Sequence, residues 1–124
     1  MKEIPSISDA ELTIMKIIWE NPNITANKII KQLSDKTKWK PNTVKTLINR
    51  LLRKNVIGFN KEGKEYYYYA VVQEENYINA ESNSFLNKIF NGSVISMVLN
   101  FVENKKLSEG EIKELKDILN KKHE

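Results

Sequence analysis

The stretch from Trp39 to Lys54 combines an apolar stripe with a polar face. Its apolar residues recur at i, i+3, i+4, i+7 and i+8, and they are Val44, Leu47, Ile48, Leu51 and Leu52. At about 100° per residue, the opposite face carries Asn42, Lys45, Thr46, Asn49, Arg50 and Arg53, with Thr43 on its flank. No carboxylate occurs from residue 36 to residue 54. The pattern predicts a helix with one face for a core and one suited to a polyanion.

The residue types on the polar face favour contact with DNA. Arg and Lys pair with phosphates or guanine edges, whereas Asn and Thr contact adenine and thymine edges. The alternative is a solvated basic face on an ordinary core helix, since charged helix surfaces are common. The helix alone does not separate these interpretations, so the elements around it decide.

Two shorter helices are predicted before this one. The first begins at a capping box of Ser8 and Glu11 and ends near residues 21–22. The second begins at Thr25 and continues to about residue 35. Their apolar stripes consist of Leu12, Met15, Ile18, Trp19, Ile29, Ile30 and Leu33. The three helices are therefore expected to share one core.

The start of the third helix is marked by Pro41, which fits the first helical position because its missing N–H has no intrahelical partner there. Lys40 then occupies the capping position and has no acceptor oxygen. The free N–H groups at this end are left for the side chain of Asn42 or for a phosphate.

A β-hairpin is predicted from residue 56 to residue 72, where β-forming residues surround a polar tip at 61–64 and Gly63 can take a positive φ. Within Tyr66–Tyr69, alternate rings face opposite sides, so two are expected to pack on the helices and two to stay exposed. A sheet-surface role is favoured for the exposed rings over stacking on bases. Lys61 and Lys64 at the tip fit phosphate contacts, although tip lysines also occur for solubility alone.

Three helices followed by a two-stranded hairpin are typical of the winged helix-turn-helix, whose third helix enters a major groove while the hairpin lies along the DNA backbone. The predicted fold class is mainly α (α+β). We expect a winged-helix DNA-binding domain at residues 1–72 and a helical dimerisation domain at residues 73–124.

The second half of the chain is predicted to be helical. One helix stops at Asn91 and Gly92, the stretch 93–103 is apolar nearly all round, and a capping box of Ser108 and Glu111 starts a last helix. A helix that is apolar all round is expected to be buried on several sides. Three helices in roughly 50 residues cannot enclose so much apolar surface alone, which predicts a second copy. The expected dimer contacts are Phe85, Ile89, Val94, Ile95, Val98, Leu99, Phe101, Ile112, Leu115, Ile118 and Leu119.

Composition and charge narrow the functional class. The chain has 124 residues and a net charge of +4, and counting residues 1–70 gives 13 basic against 7 acidic residues, leaving 7 and 9 for the remainder. The basic excess therefore lies in the half that carries the polar helix. The absence of cysteine excludes disulfides and thiolate metal sites. Without an apolar secretory core or a membrane-length apolar run, we expect a cytoplasmic protein with no membrane insertion.

The chain resembles the BlaI/MecI-type repressors, a family that controls β-lactamase and methicillin-resistance genes in Gram-positive bacteria. The resemblance runs essentially end to end. The segments that carry it are A-E-L-T-I-M-K-I-I-W (10–19), T-A-N-K-I-I (25–30), W-K-P-N-T-V-K-T-L-I-N-R-L (39–51), S-F-L-N-K-I-F-N-G (84–92) and S-M-V-L-N-F-V-E (96–103). Each segment is weak by itself, and together they are specific.

The resemblance implies a homodimer that binds a palindromic double-stranded operator and represses until a sensor-linked protease cuts it. The family's cleavage point matches the bond between Asn100 and Phe101. With the hairpin lysines, the expected DNA contacts are Lys40, Asn42, Thr43, Lys45, Thr46, Asn49, Arg50, Lys61 and Lys64. Lys40 stands where the family usually has a capping Ser, and Asn42 stands where it often has Lys. The operator preference and one contact with the DNA backbone are therefore expected to differ from those of the family.

Two other classes of function compete with a DNA-binding repressor. An enzyme is disfavoured because the sequence contains no phosphate-binding glycine motif, no metal-ligand cluster and no His near a nucleophile, and no cofactor is expected. A winged-helix module that binds RNA or another protein is the alternative that the basic helix alone leaves open. Copper-responsive relatives carry cysteine pairs near the C-terminus, so the absence of cysteine argues against copper.

Overall fold

The computed structural model describes residues 3–123, which form six helices and one two-stranded sheet. The elements are α1 (Asp9–Glu20), α2 (Ala26–Leu33), α3 (Pro41–Arg53), β1 (Ile57–Glu62), β2 (Glu65–Ala70), α4 (Glu74–Phe90), α5 (Val94–Glu103) and α6 (Glu109–His123). This mainly helical chain with a small sheet confirms the predicted fold class. It divides into two compact units, Met1–Ala80 and Glu81–Glu124. The division falls within α4, later than the predicted boundary after Val72.

The helix starts follow the local sequence. Ser8 accepts a hydrogen bond at Oγ from the N–H of Glu11 (3.1 Å), and the Glu11 carboxylate accepts one from the N–H of Ser8 (2.8 Å). Thr25 caps α2 by accepting from the N–H of Lys28. Lys40 precedes α3 and makes no side-chain cap. The predicted starts of all three helices are confirmed. Capping by residues three positions apart explains α1 and α2, and Pro41 at the first helical position explains α3.

The core of the first unit is formed by α1, α2, α3 and one face of the hairpin. The stripe of α3 is buried at Val44, Leu47, Ile48 and Leu51, while Leu52 is partly buried. The other large buried side chains are Ile7, Ile14, Met15, Ile17, Ile18, Ile24, Ile29, Leu33, Val56, Ile57, Tyr68 and Tyr77. Since apolar burial stabilises by about 25 cal/mol per Å², this shared stripe fixes α3 with its polar face outward.

Backbone and indole hydrogen bonds attach the hairpin to the helices. The loop residue Ile24 and the strand residue Tyr68 exchange two backbone hydrogen bonds of 3.2 and 2.8 Å. At the other end of β2, the Trp19 indole N–H donates to the carbonyl oxygen of Val72 at 2.9 Å. The Trp19 ring also packs on Tyr77, with centroids 5.7 Å apart. The position of the hairpin beside α2 and α3 is therefore set by contacts of high sequence separation.

The hairpin turn is tighter than the sequence predicted. Glu62 pairs with Glu65, so that only Gly63 and Lys64 lie between the strands. Gly63 takes the positive φ that was expected, +63°. Lys61 belongs to β1 and pairs with Tyr66, and its prediction as a tip residue was wrong because a two-residue turn lets the ladder extend further.

The prediction that two tyrosines pack on the helices was wrong for one of them. Tyr66 and Tyr68 share a sheet face, and Tyr68 is buried whereas Tyr66 is 43% exposed. Tyr66 is nearer the turn, where the hairpin continues beyond the core. On the opposite face, Tyr69 is partly buried over Gly58, where an added Cβ would lie 2.6 Å from the Tyr69 ring. A side chain at position 58 would therefore have to displace the end of the Tyr69 side chain.

The second unit begins within α4 and contains α5 and α6. Asn91 and Gly92 stop α4 with positive φ values of 51° and 84°, and Ser93 caps α5 by accepting from the N–H of Ser96. Ser108 and Glu111 form the predicted capping box of α6, with hydrogen bonds of 2.9 and 3.1 Å. The helix boundaries expected in this half of the chain are therefore present.

The apolar residues of α5 are not buried in the single chain. No residue of this helix, which lies wholly within the described residues, is buried, and Ile95 is 69% exposed. The expectation of burial on several sides is therefore not met by one copy. Among the predicted dimer contacts, Val98, Phe101, Ile112 and Leu115 are partly buried, and the exposed ones are Phe85, Ile89, Val94, Ile95, Leu99, Ile118 and Leu119.

A buried carboxylate connects α1 to the end of α3. Glu11 is 2% exposed and accepts a hydrogen bond from Lys54, whose ammonium also donates to the carbonyl oxygen of Ser6 at 2.7 Å. Burial by itself raises the pKa of the Glu11 carboxyl. The hydrogen bond from Lys54, the N–H of Ser8 and the lysine charge outweigh burial, so this pKa lies below its ordinary value.

Lys54→Met is expected to lower the free energy of unfolding at pH 7 by about 1–3 kcal/mol, because the charged Glu11 loses its partner inside the fold. The pKa of Glu11 is lowered in the folded state, so its stabilisation is present above the unfolded pKa of about 4.3 and is lost as pH falls through the folded pKa. Urea unfolding at pH 7 and at pH 3 measures both effects. Lys16→Met, at an exposed site of α1, is the control, and an equal loss in the two variants would refute the role of the pair.

Candidate nucleic-acid interface

The exposed face of α3 carries the polar residues that the sequence singled out. Asn42, Thr43, Lys45, Thr46, Asn49 and Arg50 are all exposed, and we call this set the recognition face. It lies opposite the buried stripe of the same helix. The fold therefore presents these six side chains to solvent on one rigid element.

Most of the hydrogen-bonding groups of the recognition face are available to a ligand. The hydroxyl of Thr46 donates to the carbonyl oxygen of Asn42 at 2.9 Å, which leaves its lone pairs free to accept. Within residues 3–123, the side chains of Lys45, Asn49 and Arg50 make no hydrogen bond or ion pair. Lysine, asparagine and arginine supply the donors that match guanine, adenine and phosphate.

The N-terminus of α3 retains one free backbone donor. Pro41 has no N–H, and the N–H groups of Thr43 and Val44 both donate to the carbonyl oxygen of Lys40, at 2.9 and 3.3 Å. The side chain of Asn42 makes no cap within the described chain, so one of the two possibilities left by the sequence is not used. The N–H of Asn42 and the exposed Lys40 therefore remain for a phosphate.

A cleft that the sequence did not reveal lies beside the recognition face. Its volume is ≈ 360 Å³, and we call it the wing cleft. It is lined by Thr25, Ala26, Asn27, Lys45, Ile48, Asn49, Lys64, Glu65, Tyr66 and Tyr68. The cleft thus combines the start of α2, part of the recognition face and the beginning of β2. Only the tertiary structure brings these three segments together.

The two hairpin lysines have different surroundings. Lys64 lies in the turn and lines the wing cleft. Lys61 lies in β1 with its Nζ 5.7 Å from the centroid of the Tyr66 ring. The Tyr66 ring is also packed edge-on against Phe59, with centroids 5.0 Å apart. Lys64 therefore has no partner among residues 3–123, and Lys61 contacts the Tyr66 ring while its ammonium stays exposed.

The predicted cleavage site lies in the second unit. The bond between Asn100 and Phe101 is inside α5, and the carbonyl oxygen of Asn100 accepts hydrogen bonds from the backbone and side-chain nitrogens of Asn104, at 3.1 and 2.7 Å. Asn100 is exposed and Phe101 is partly buried. This bond is thus part of regular, hydrogen-bonded helix in the single chain.

No single helix among residues 3–123 has both the length and the apolar character of a membrane span. In the same described range, one pair of helices, α4 and α5 with a bend between them, reaches that length and composition together.

Comparison with known proteins gives matches over most of the chain. A family model described as penicillinase repressor matches residues 7–121. The penicillinase repressor of Bacillus licheniformis is 48% identical over 119 residues, which cover 96% of this chain and 93% of that protein. The methicillin resistance regulatory protein MecI of Staphylococcus aureus is 44% identical over 116 residues, which cover 94% of each protein.

A solved structure matches part of the chain. The solution structure of monomeric B. licheniformis BlaI in complex with the blaP half-operator is 43% identical and covers 62% of this chain and 94% of that chain, with a TM-score of 0.54. The relative was therefore observed with DNA.

Proposed function

The chain belongs to the penicillinase repressor family, and from that membership we propose that it is a dimeric repressor of antibiotic-resistance-type genes that binds a palindromic operator. The family consists of DNA-binding repressors and not of enzymes. The observation that carries the proposal is the recognition face, six exposed polar side chains on the third helix of a winged helix. This is the element that enters the major groove in such folds.

Each group of the recognition face has a role in this proposal. Arg50 makes a bidentate contact with a guanine edge, which gives sequence preference. Lys45 neutralises a phosphate or meets a guanine, and Thr43, Thr46 and Asn49 contact base edges or backbone oxygens. The N–H of Asn42 and the side chain of Lys40 hold a phosphate at the start of α3. Lys61 and Lys64 place the hairpin along the backbone.

Dimerisation through the second unit is supported by its exposed apolar residues. Phe85, Ile89, Leu99, Ile118 and Leu119 are each between 47 and 59% exposed in the single chain. Large apolar side chains left exposed in this number are typical of a protein interface. In the proposed dimer a second copy covers these residues, and the two winged helices bind the two half-sites of one operator.

Inactivation by proteolysis completes the proposed cycle in the cytoplasm. A sensor-linked protease cuts between Asn100 and Phe101, which separates most of α5 from Phe101, Val102 and α6. The cut lies outside the recognition face, so it acts on dimerisation and not on the DNA contacts. Because the scissile bond is in a hydrogen-bonded helix, cutting requires local opening of that turn.

The proposed function is tested by competition between DNA and RNA. The operator is first located by footprinting DNA upstream of the protein's own gene. Labelled operator bound to the full chain is then challenged at fixed salt with unlabelled operator or with an RNA duplex of the same sequence. We expect the DNA to displace the label and the RNA to fail, because the major groove of A-form RNA is too narrow for α3. Equal competition by RNA would support the alternative, an RNA-binding winged helix.

A further inference from the structure

Four side chains that line the wing cleft are hydrogen-bond donors for which residues 3–123 supply no acceptor. Asn27, Lys45, Lys64 and Tyr66 come from α2, α3, the turn and β2. Within the described residues 3–123, none of these four side chains makes a hydrogen bond or an ion pair. Two positive charges and several neutral donors around one cleft match an anion that has acceptor oxygens on more than one side.

Glu65, the acidic residue of the cleft, accepts a hydrogen bond from Tyr67. The hydroxyl of Tyr67 donates to the carboxylate of Glu65 at 3.1 Å, which raises the pKa of Tyr67. Alternation along β2 puts Glu65 and Tyr67 on the sheet face opposite to Tyr66 and Tyr68. Glu65 lines the cleft, but its carboxylate already accepts the Tyr67 hydroxyl, and the two lysines of the lining, Lys45 and Lys64, outnumber this one acidic residue.

The start of α2 adds donors to the same cleft. Thr25 uses its hydroxyl to accept from the N–H of Lys28, while the N–H groups of Ala26 and Asn27 are in the first turn, where no intrahelical acceptor exists. The positive end of the helix dipole lies at this position. These backbone donors reinforce the side-chain donors of the opposite walls.

The ring of Tyr66 is held in place before any ligand arrives. Phe59 contacts it edge-on, with an angle of 89° between the ring planes, and Lys61 lies over it. A side chain that is already ordered loses less conformational entropy when it binds. The ring that carries the Tyr66 hydroxyl is therefore ordered before a ligand binds.

We propose that the wing cleft holds one strand of the DNA backbone, with a phosphate between Lys45 and Lys64 and with Tyr66 and Asn27 donating to its oxygens. This proposal rests on the proposed function and adds a site to it. The cleft volume of ≈ 360 Å³ falls within the range of about 300–1,000 Å³ that is usual for ligand sites. Backbone contacts position a protein on DNA without selecting sequence, so Tyr66 is a positioning residue that contributes to affinity for every duplex.

The test compares Tyr66→Phe with Tyr67→Phe. The first removes only the hydroxyl in the cleft and keeps the ring that contacts Phe59, and the second removes the neighbouring hydroxyl on the opposite sheet face. Both variants and the wild-type full chain are titrated with the footprinted operator and with an unrelated duplex of equal length. We expect Tyr66→Phe to bind both duplexes about 2- to 12-fold more weakly, with an unchanged ratio between them, and Tyr67→Phe to bind as the wild type does.

The dependence of DNA affinity on salt concentration shows whether a cleft residue contacts a phosphate through its charge. Removing one charged phosphate contact by Lys64→Ala should reduce the slope of log K against log salt concentration by about 0.9, whereas Tyr66→Phe should leave the slope unchanged. Wild-type affinity of Tyr66→Phe for both duplexes, or a loss on the operator alone, would overturn the cleft proposal while leaving the proposed function intact. If the wild-type chain bound neither duplex, the proposed function itself would fail.

Discussion

A fragment that ends at Asn100 is expected to bind the operator about 10²- to 10⁴-fold more weakly than the intact chain. The fragment retains the whole winged helix and every residue of the recognition face. It lacks Phe101, Val102 and α6 with Ile118 and Leu119, and we expect the dimer to separate without them. Two tethered winged helices meet their half-sites at a high effective concentration, and this advantage disappears when the tether is lost.

The measurement is a titration of the footprinted operator against the purified 1–100 fragment, with sedimentation to establish its oligomeric state. A matched control fuses the same fragment to an unrelated dimeric coiled coil, which should restore most of the lost affinity because it restores the tether. Operator binding by the unfused fragment as tight as that of the intact chain would remove the proposed mechanism, even if cells cut the bond between Asn100 and Phe101.

Arg50→Ala is expected to reduce operator affinity by about 1–3 kcal/mol and to relax the preference at one base pair. Arg50 is exposed on the recognition face, and its guanidinium has no partner within residues 3–123. A bidentate contact to guanine supplies both affinity and discrimination, and both should be lost together. Titration of operators that carry each single base-pair substitution at fixed salt measures the two effects.

Arg50→Lys separates the charge from the shape of the side chain. Lysine keeps the positive charge but not the planar pair of donors. We expect the salt dependence of binding to stay as in the wild type while the preference at that base pair is lost. Unchanged affinity and unchanged selectivity in Arg50→Ala would show that the recognition face was assigned to the wrong helix or the wrong side of it.

The sequence alone was sufficient to predict where the helices begin and which side chains of α3 are exposed. The starts at Ser8, Thr25 and Ser108 depend on hydrogen bonds between residues three positions apart. The two faces of α3 follow from its 3.6-residue period, which puts apolar and polar residues on opposite sides. These features are local, so residues within one or two helical turns of one another determine them.

Features that join distant segments required the tertiary structure. The pairing of Glu11 with Lys54 joins residues 43 positions apart, and no local pattern predicts it. The exposure of Tyr66 depends on how far the hairpin extends past the helices, and strand alternation alone did not distinguish it from the buried Tyr68.

The sequence alone also did not predict the wing cleft or the exposure of α5. Three segments that are distant in sequence form the cleft, so the free donors of Asn27 and Tyr66 give no signal in the sequence. The apolar pattern of α5 predicted burial, but no residue of α5 is buried in the single chain, and the pattern does not identify what would cover it. Periodicity determines which side of an element is apolar, whereas the packing of elements and of copies decides which of those residues are buried.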